Sequence, residues 1–477
     1  MNRKFALAAL CTIMLVSLGY SVFALLIAGL IIPSFGSIGY PASATLPIYT
    51  EGKWVKDASG TIVYLRGAWR CSPGFEDTTV GMFPFEGEER GWGDLTEKVP
   101  TMYRPAAVDE WLGYVKQWGF NSIASMVNID WWIVNSQTYS TYPRNQVHTD
   151  TPYRDAYKDF LDRAYQHGIY VQVRLYTVDA REGKVPWMFP LEPYGYSGGY
   201  EHDGSIFPGW YDGNHPDVYD GPALTGMESF GQFCYDFAYD LFSAKSHHYP
   251  NVLLAFFDDV DCWPAPDSMW YETFDLALRR VREAEQAVGC DPHILVNHYM
   301  YCESLQWVNG YMTEINPLTG ENYRSDNVIF SSHIYRVHET FDYMPGYGRP
   351  SADVPYEDIK AFIGNETGIL SNGRPFTNGL GYRSIMDKYD VPTLATAIGA
   401  ERGWLTTSHG EAEYQTFVKS LRALNEFGIG YWAYCFPQDN SEPPEVTFRL
   451  SSNYYSRSPD YANRVGQALM DAIAAGS

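Results

Sequence analysis

After residue 60 the sequence returns again and again to one pattern: a short run rich in β-branched and aromatic residues, then a longer stretch with helical spacing of its apolar positions. Strands and amphipathic helices that alternate in this way have few means of burying their apolar faces, and a parallel sheet covered by helices is the principal one. The strand candidates are Val63–Trp69, Asn121–Val127, Ile169–Tyr176, Asn251–Asp258, His293–His298, Asn327–Tyr335, Thr393–Ala400 and Gly428–Phe436. Helical stretches between and after them include Ala107–Trp118, Tyr153–His167, Ser229–Ala244, Met269–Val288, Glu411–Glu426 and Asn463–Ala475. In Met269–Val288, Phe274, Leu276, Leu278 and Val281 interleave with Arg279, Arg280 and Arg282, as one buried face requires. Eight such strands imply an α/β chain closed into a (β/α)8 TIM barrel. A doubly wound sheet would favour a GxGxxG turn after the first strand, and none follows Val63–Trp69. Long loops are expected from Cys71 to Ala106, Asp179 to Gly221 and His338 to Thr377, after strands one, three and six. In a barrel such loops crowd the C-terminal face, where chemistry is built.

Composition narrows the partners. The 477 residues are 45% hydrophobic and carry a net charge of −23. That apolar share supplies a large core, and the negative field repels a polyphosphate, so a nucleic-acid partner is excluded. Aromatic residues reach 16%. Flat rings suit sugar clefts, although a large core uses them equally well.

The N-terminus bears on location. A basic start, Asn2-Arg3-Lys4, precedes a stretch from Phe5 to Ile32 without a charged residue. A bilayer core needs about 20 apolar residues, whereas a secretory h-region needs about 7–15. The run therefore reads as one transmembrane helix anchoring residues 1–32 in the cell membrane, with the rest of the chain facing outside. A cleaved signal peptide, which would leave the chain secreted, is the other reading. Residues 33–46 read as a Gly-, Pro- and Ser-containing linker, and 47–477 as the barrel. Of the seven cysteines, Cys11 lies in the apolar run and no two form a CxxC pair, so a zinc site is not expected. In a barrel, pairing of neighbours would join Cys71 to Cys435, Cys262 to Cys302 and Cys234 to Cys290. Buried free thiols are the competing expectation.

Glu51–Trp69, EGKWVKDASGTIVYLRGAW, resembles the opening of the glycoside hydrolase family 5, the cellulase-like barrels. There a small β-hairpin with an Asp-x-x-Gly turn precedes a first strand ending in Leu-Arg-Gly; here Asp57, Gly60 and Leu65-Arg66-Gly67 match. Gly119-Phe120-Asn121, the run His167 to Val171, Pro250-Asn251-Val252, His333-Ile334-Tyr335 and Gly428–Trp432 resemble later units of the same barrel. The resemblance implies hydrolysis of O-glycosidic bonds in a β-linked glycan by two carboxyl groups, with no cofactor and no metal. His247-His248 follows a helix without a third ligand nearby and reads as surface.

The resemblance also exposes departures. The family acid/base Glu ends strand four, where this chain has Asp258-Asp259. Asp259 takes the Glu position and Asp258 that of the preceding Asn. An aspartate carboxyl sits about 1.5 Å further back, for want of one methylene. The family nucleophile position falls on Ala397, and the nearest carboxylate is Glu401. Residues 397, 399 and 401 share a strand face if the segment stays extended, and a bulge or a longer strand would bring Glu401 to the rim. The strand-two Arg of the family falls at Ala124. The expected site is therefore Asp259 as proton donor and Glu401 as nucleophile or base. Asp258, His298, His333, Tyr335, Trp263 and Trp432 are the expected substrate contacts. A hydrogen-bonded barrel residue is the competing expectation for His298, His333 and Tyr335. The rival for the whole molecule is a catalytically inactive barrel that binds glycan or serves as a structural protein at the cell surface.

Overall fold

The computed structural model describes residues 47–70, 105–128, 132–133, 135, 138–141, 145–148, 151–176, 211, 216, 219–224, 226–256, 267–298, 304–334, 354–398, 410–436 and 459–476. The chain begins with β1 (Ile48–Glu51) and β2 (Trp54–Asp57), an antiparallel hairpin turned at Gly52 with φ of +55°. There follow β3 (Arg66–Arg70), α1 (Pro105–Gln117), β4 (Ser122–Asn128), the paired β5 (Thr138–Thr141) and β6 (Asn145–His148), α2 (Tyr153–Gln166) and β7 (Tyr170–Tyr176). Next come α3 (Gly226–Ser243), β8 (Val252–Ala255), α4 (Asp267–Val288), β9 (Ile294–His298), α5 (Val308–Thr313) and β10 (Val328–Ile334). The last third holds α6 (Tyr356–Gly364), the paired β11 (Gly368–Ile369) and β12 (Pro375–Phe376), α7 (Tyr382–Tyr389), β13 (Thr393–Ile398), α8 (Gly410–Phe427), β14 (Gly430–Phe436) and α9 (Pro459–Ala475).

Strands β3, β4, β7, β8, β9, β10, β13 and β14 hydrogen-bond in that order and close into a barrel, with every neighbouring pair parallel. This is the (β/α)8 arrangement expected from the alternation. The helix-to-strand corners are local in origin. Gly119 and Gly168 adopt φ of +80° and +72°, a region side-chain-bearing residues avoid, and each ends a helix just before a barrel strand. These are the Gly-Phe-Asn and His-Gly-Ile-Tyr-Val junctions of the sequence.

Strand alternation divides the apolar residues into two layers. Leu65, Ala124, Tyr170, Leu253, Ala255, Ile294, Val296, Ile329, Leu394, Ala397 and Trp432 fill the barrel interior together with Ile48 and Val55 of the hairpin. Their strand neighbours, such as Val171, Val173, Leu254, Phe330 and Tyr431, pack outward against the helices. The hairpin seals the N-terminal end, and the Thr50 N–H donates to Asn327 Oδ1 at 2.7 Å. Its exit is the Asp-x-x-Gly turn: Asp57 Oδ1 accepts from the N–H groups of Ser59 and Thr61 at 2.8 and 3.0 Å, and Gly60 takes φ of +83°.

Several expectations change. The stretch from His338 to Thr377 is not loop throughout, for it contains α6 and the β11–β12 pair. Ile359, Phe362 and Ile363 give α6 a buried face at helical spacing. Cys234 and Cys290 are free thiols, not a disulfide. Cys234 is buried in the packing around α3, and the Cys290 thiol donates to the Glu285 carbonyl at 3.8 Å. Of the other proposed pairs, Cys71, Cys262 and Cys302 lie outside the described residues. His247 is not a plain surface residue: its ring stacks on Tyr165 at 4.5 Å and its Nε2 lies 3.3 Å from Asp162 Oδ1. Burial pushes its pKa down. The run Phe5–Ile32 lies outside the described residues, and among the described residues no helix is long and apolar enough to cross a membrane.

Candidate active site

Above the apolar floor, the barrel interior turns polar. On β7 the side chains alternate between Val171, Val173 and Leu175 on the outside and Tyr170, Gln172 and Arg174 on the inside. Arg174 is 1% exposed. Its Nε donates to Gln172 Oε1 at 2.7 Å, and its Nη2 donates to the Thr396 carbonyl at 3.3 Å. β7 and β13 lie four strands apart in either direction around the barrel, so this side chain crosses it.

Thr396 marks an irregularity in β13. Against β10, Ser332 pairs with Ala395 and His333 with Ala397; against β14, Ala395 pairs with Tyr431 and Ile398 with Ala433. One residue is extra, which is a β-bulge. The consequence is a change of parity. Leu394 packs inward and Ala395 outward, yet Ala397 is inward again and Ile398 outward. Without the bulge the even-numbered residues would continue to face the interior.

His298 closes β9 and His333 lies near the end of β10; both are buried. Their rings stack at 3.9 Å with a 30° tilt. His298 Nδ1 lies 3.3 Å from both Ser331 Oγ and Thr396 Oγ1, and Ser331 Oγ donates to the Asn297 carbonyl at 3.2 Å. Gln172, Arg174, His298, Ser331 and Thr396 are thereby joined from β7 through β13 to β10 and β9 in one polar layer, with His333 stacked against it. A buried guanidinium is sustained by such hydrogen bonds and by negative charge, since an uncompensated buried ion costs several kcal/mol.

The expected site residues divide. The structure brings His298 and His333 together: His298 Nδ1 meets the Ser331 and Thr396 hydroxyls, and the His333 ring stacks on that of His298. Trp432 lies lower, fully buried among the floor residues, with its indole N–H donated to Ser122 Oγ at 3.0 Å. In that position the ring packs the barrel and turns no face to solvent. Ala124 and Ala397, at the positions of the family Arg and nucleophile, are buried interior residues. Asp258, Asp259, Trp263, Tyr335 and Glu401 lie outside the described residues. Sequence reasoning missed Arg174 and Gln172, although both stand at inward positions of an otherwise apolar alternation. It weighed a bulge in strand seven but had no means of placing one.

No family model matches the sequence. No curated protein matches it either. Among solved structures, the chain is similar to an endogalactoceramidase, with 14% identity, a TM-score of 0.47 and coverage of 84% of this chain and 77% of that one. It is also similar to a β-glucanase from Saccharophagus degradans in complex with cellotetraose, with 12% identity, a TM-score of 0.46 and coverage of 92% and 99%. A β-mannanase from Streptomyces thermolilacinus with mannohexaose aligns at 12% identity and a TM-score of 0.45, over 89% of this chain and 95% of that one. These likenesses are of fold. In its closed parallel barrel and its quoted motifs, the chain resembles the glycoside hydrolase family 5 barrels, without glutamates at the usual catalytic positions.

Proposed function

We propose that the chain hydrolyses O-glycosidic bonds of a β-linked glycan at the C-terminal mouth of the barrel, with Asp259 as proton donor and Glu401 as nucleophile or base. The observation that carries this reading is strand parity. On β8, Leu253 and Ala255 face the interior while Val252, Leu254 and Phe256 face the helices. The same alternation, if carried past the described residues, would give Asp259 the inward position and Asp258 the outward one. On β13 the bulge at Thr396 turns Ala397 inward, and the same alternation, if carried past Ile398, would give Glu401 the inward position. Both carboxyls would take the parity that chemistry at the mouth needs if the two strands' alternation runs on beyond Phe256 and Ile398.

In the reaction, the Asp259 carboxyl protonates the leaving oxygen as the glycosidic C–O bond breaks. The Glu401 carboxylate either attacks the sugar's anomeric carbon, giving a glycosyl ester that water then cleaves as the Asp259 carboxylate takes its proton, or takes a proton from water that attacks the anomeric carbon directly. A carboxyl separation of about 5–5.5 Å corresponds to the first course and retention, and about 6.5–9.5 Å to the second and inversion. Tyr335 would share the inward parity of Ile329 if β10's alternation continued by one residue, which would suit a contact beside the nucleophile. Trp263 follows the same strand as Asp259 and supplies a ring for the sugar. The apolar run Phe5–Ile32 holds the barrel at the outer face of the membrane, or directs its secretion if cleaved.

The test is Asp259→Asn and Glu401→Gln, assayed on a panel of β-linked glycans. Each change is expected to lower kcat by a hundredfold or more, on the order of what acid–base catalysis contributes. Turnover that survives both changes overturns the assignment. A second reading, a barrel that binds glycan without cutting it, is favoured by the two interior alanines Ala124 and Ala397, which stand where the family keeps an arginine and its nucleophile. Saturable glycan binding with no turnover by the parent protein would establish it.

A further inference from the structure

We propose that Asn365 is the acceptor of an N-linked glycan carried on the flank of the barrel, clear of its mouth. This assignment rests on the outward placement of the barrel given above and not on its chemistry. Asn365-Glu366-Thr367 is the one Asn-x-Ser/Thr triplet in the 477 residues, and its middle position is not proline. The fold sets its three side chains apart. Asn365 ends α6 in extended backbone, with φ of −119° and ψ of +150°, and its N–H donates to the Ala361 carbonyl at 3.0 Å. Successive side chains of an extended segment point to opposite sides. Glu366 turns to the protein: Asn309 Nδ2 donates to its Oε1 at 2.5 Å and Ser384 Oγ to its Oε2 at 3.4 Å. Asn365 and Thr367, two residues apart, are both exposed. The backbone between them is pinned, for the Gly379 N–H donates to the Glu366 carbonyl at 3.0 Å. Gly379 lies so close that a Cβ there would come within 2.0 Å of the Asn365 carbonyl oxygen. The carboxamide that would carry the glycan and the hydroxyl that marks it for transfer are thus presented side by side. Asn372 and Asn378 are exposed as well, but the residues two positions after them are Arg374 and Leu380, which carry no hydroxyl.

The position keeps a bulky, hydrated group away from the chemistry. Gly364, the last residue of α6, lies so close to Phe427 that a Cβ there would meet its ring at 2.7 Å. Phe427 ends α8, and β14 begins just after it at Gly430. The acceptor therefore stands beside the end of the barrel where the strands start, and a glycan on it leaves the C-terminal mouth open. Attachment is a group transfer. The donor is an oligosaccharide esterified through its anomeric carbon to a lipid phosphate. The Asn365 carboxamide nitrogen bonds to that carbon, the bond from the carbon to the phosphate oxygen breaks, and its electron pair leaves with the lipid phosphate. The amide proton passes to a base of the transferase, so the step needs no oxidant or reductant.

The test is mass spectrometry of the full-length protein isolated from its own cells or their medium. Trypsin cleavage after Lys360 and Arg383 releases residues 361–383 as one peptide, because Pro375 protects the bond after Arg374. That peptide holds Asn365, Asn372 and Asn378 together, so the two latter serve as internal controls. Fragmentation is expected to place a glycan on Asn365 and none on the other two. Asn365→Gln and Thr367→Ala should each abolish it, and Thr367→Ser should retain it. Any turnover the parent shows should be unchanged in Asn365→Gln, and its loss would overturn the placement clear of the mouth. An unmodified Asn365, or a glycan on Asn372 or Asn378 in its place, overturns the inference. The outward placement is read separately, by labelling intact cells with a membrane-impermeant amine reagent. Labelled barrel lysines together with a bare Asn365 leave that placement standing and remove only the acceptor. Lysines that label only after lysis, together with a bare Asn365, remove both.

Discussion

The two ends of the barrel are built from the same eight strands, yet they solve different problems. At the N-terminal end, Leu65, Leu253, Ile294, Ile329, Leu394 and Trp432 pack under the hairpin residues Ile48 and Val55. There the Trp432 indole N–H is satisfied locally by Ser122 Oγ. A few residues further along the same strands, the interior holds Gln172, Arg174, His298, Ser331, His333 and Thr396. The strand geometry also changes there, from regular pairing to a bulge. The lower end minimises free energy by close packing. The upper end keeps buried polar groups that an apolar core would omit, and such groups are retained at sites of function more often than for stability.

The sharpest way to break this comparison is Trp432→Ala. Removing a fully buried indole from the floor is expected to cost about 3–5 kcal/mol, read as a lower denaturant midpoint with an unchanged slope. A loss below about 1 kcal/mol would mean that the floor is not close-packed. Ser331→Ala probes the polar layer. It removes a bond to the Asn297 carbonyl and a neighbour of His298 Nδ1, and should cost about 1 kcal/mol in stability. Its larger effect should be on turnover, so a variant as active as the parent would separate this layer from the chemistry.

The smallest effect lies outside the barrel and calibrates the other two. Glu426 on α8 accepts hydrogen bonds from Lys360 on α6 at 2.6 Å and from Arg422 at 2.9 Å. The Lys360 ammonium foremost, with Tyr356 and Arg422, holds its carboxyl down at about 2, from an ordinary value of 4.5. A depressed carboxylate stabilises the fold above its unfolded pKa, and that contribution disappears as the pH falls through its folded one. Glu426→Gln should therefore lower stability at neutral pH, by under about 1 kcal/mol for a partly exposed network, and the parent–variant difference should vanish between about pH 4.5 and 2. A difference that grows on acidification would contradict the pairing.

Much of this architecture was legible because it is encoded locally. Each barrel strand falls on an anticipated run, and the helix-ending glycines at 119 and 168 mark two of the corners. Strand four is shorter than its apolar run, Val252–Ala255 against Asn251–Asp258. The helix α6 escaped notice because its apolar positions fill only two turns between polar, Pro- and Gly-rich flanks. The site was less legible. His298 and His333 were singled out at their strand ends, but their mutual stacking joins residues 35 positions apart in the chain.

The sequence by itself determined the strand-and-helix alternation, the closed class of fold and the inward or outward parity of each regular strand, since these depend on periods of two and 3.6 residues within one segment. Tertiary structure alone decided that Cys234 and Cys290 stay apart, that Trp432 belongs to the floor, and that β13 carries an extra residue at Thr396. It alone decided that Arg174 spans the barrel to meet that bulge. These are matters of distance between segments far apart in sequence, fixed only when the barrel closes and each side chain finds which opposite wall it can reach.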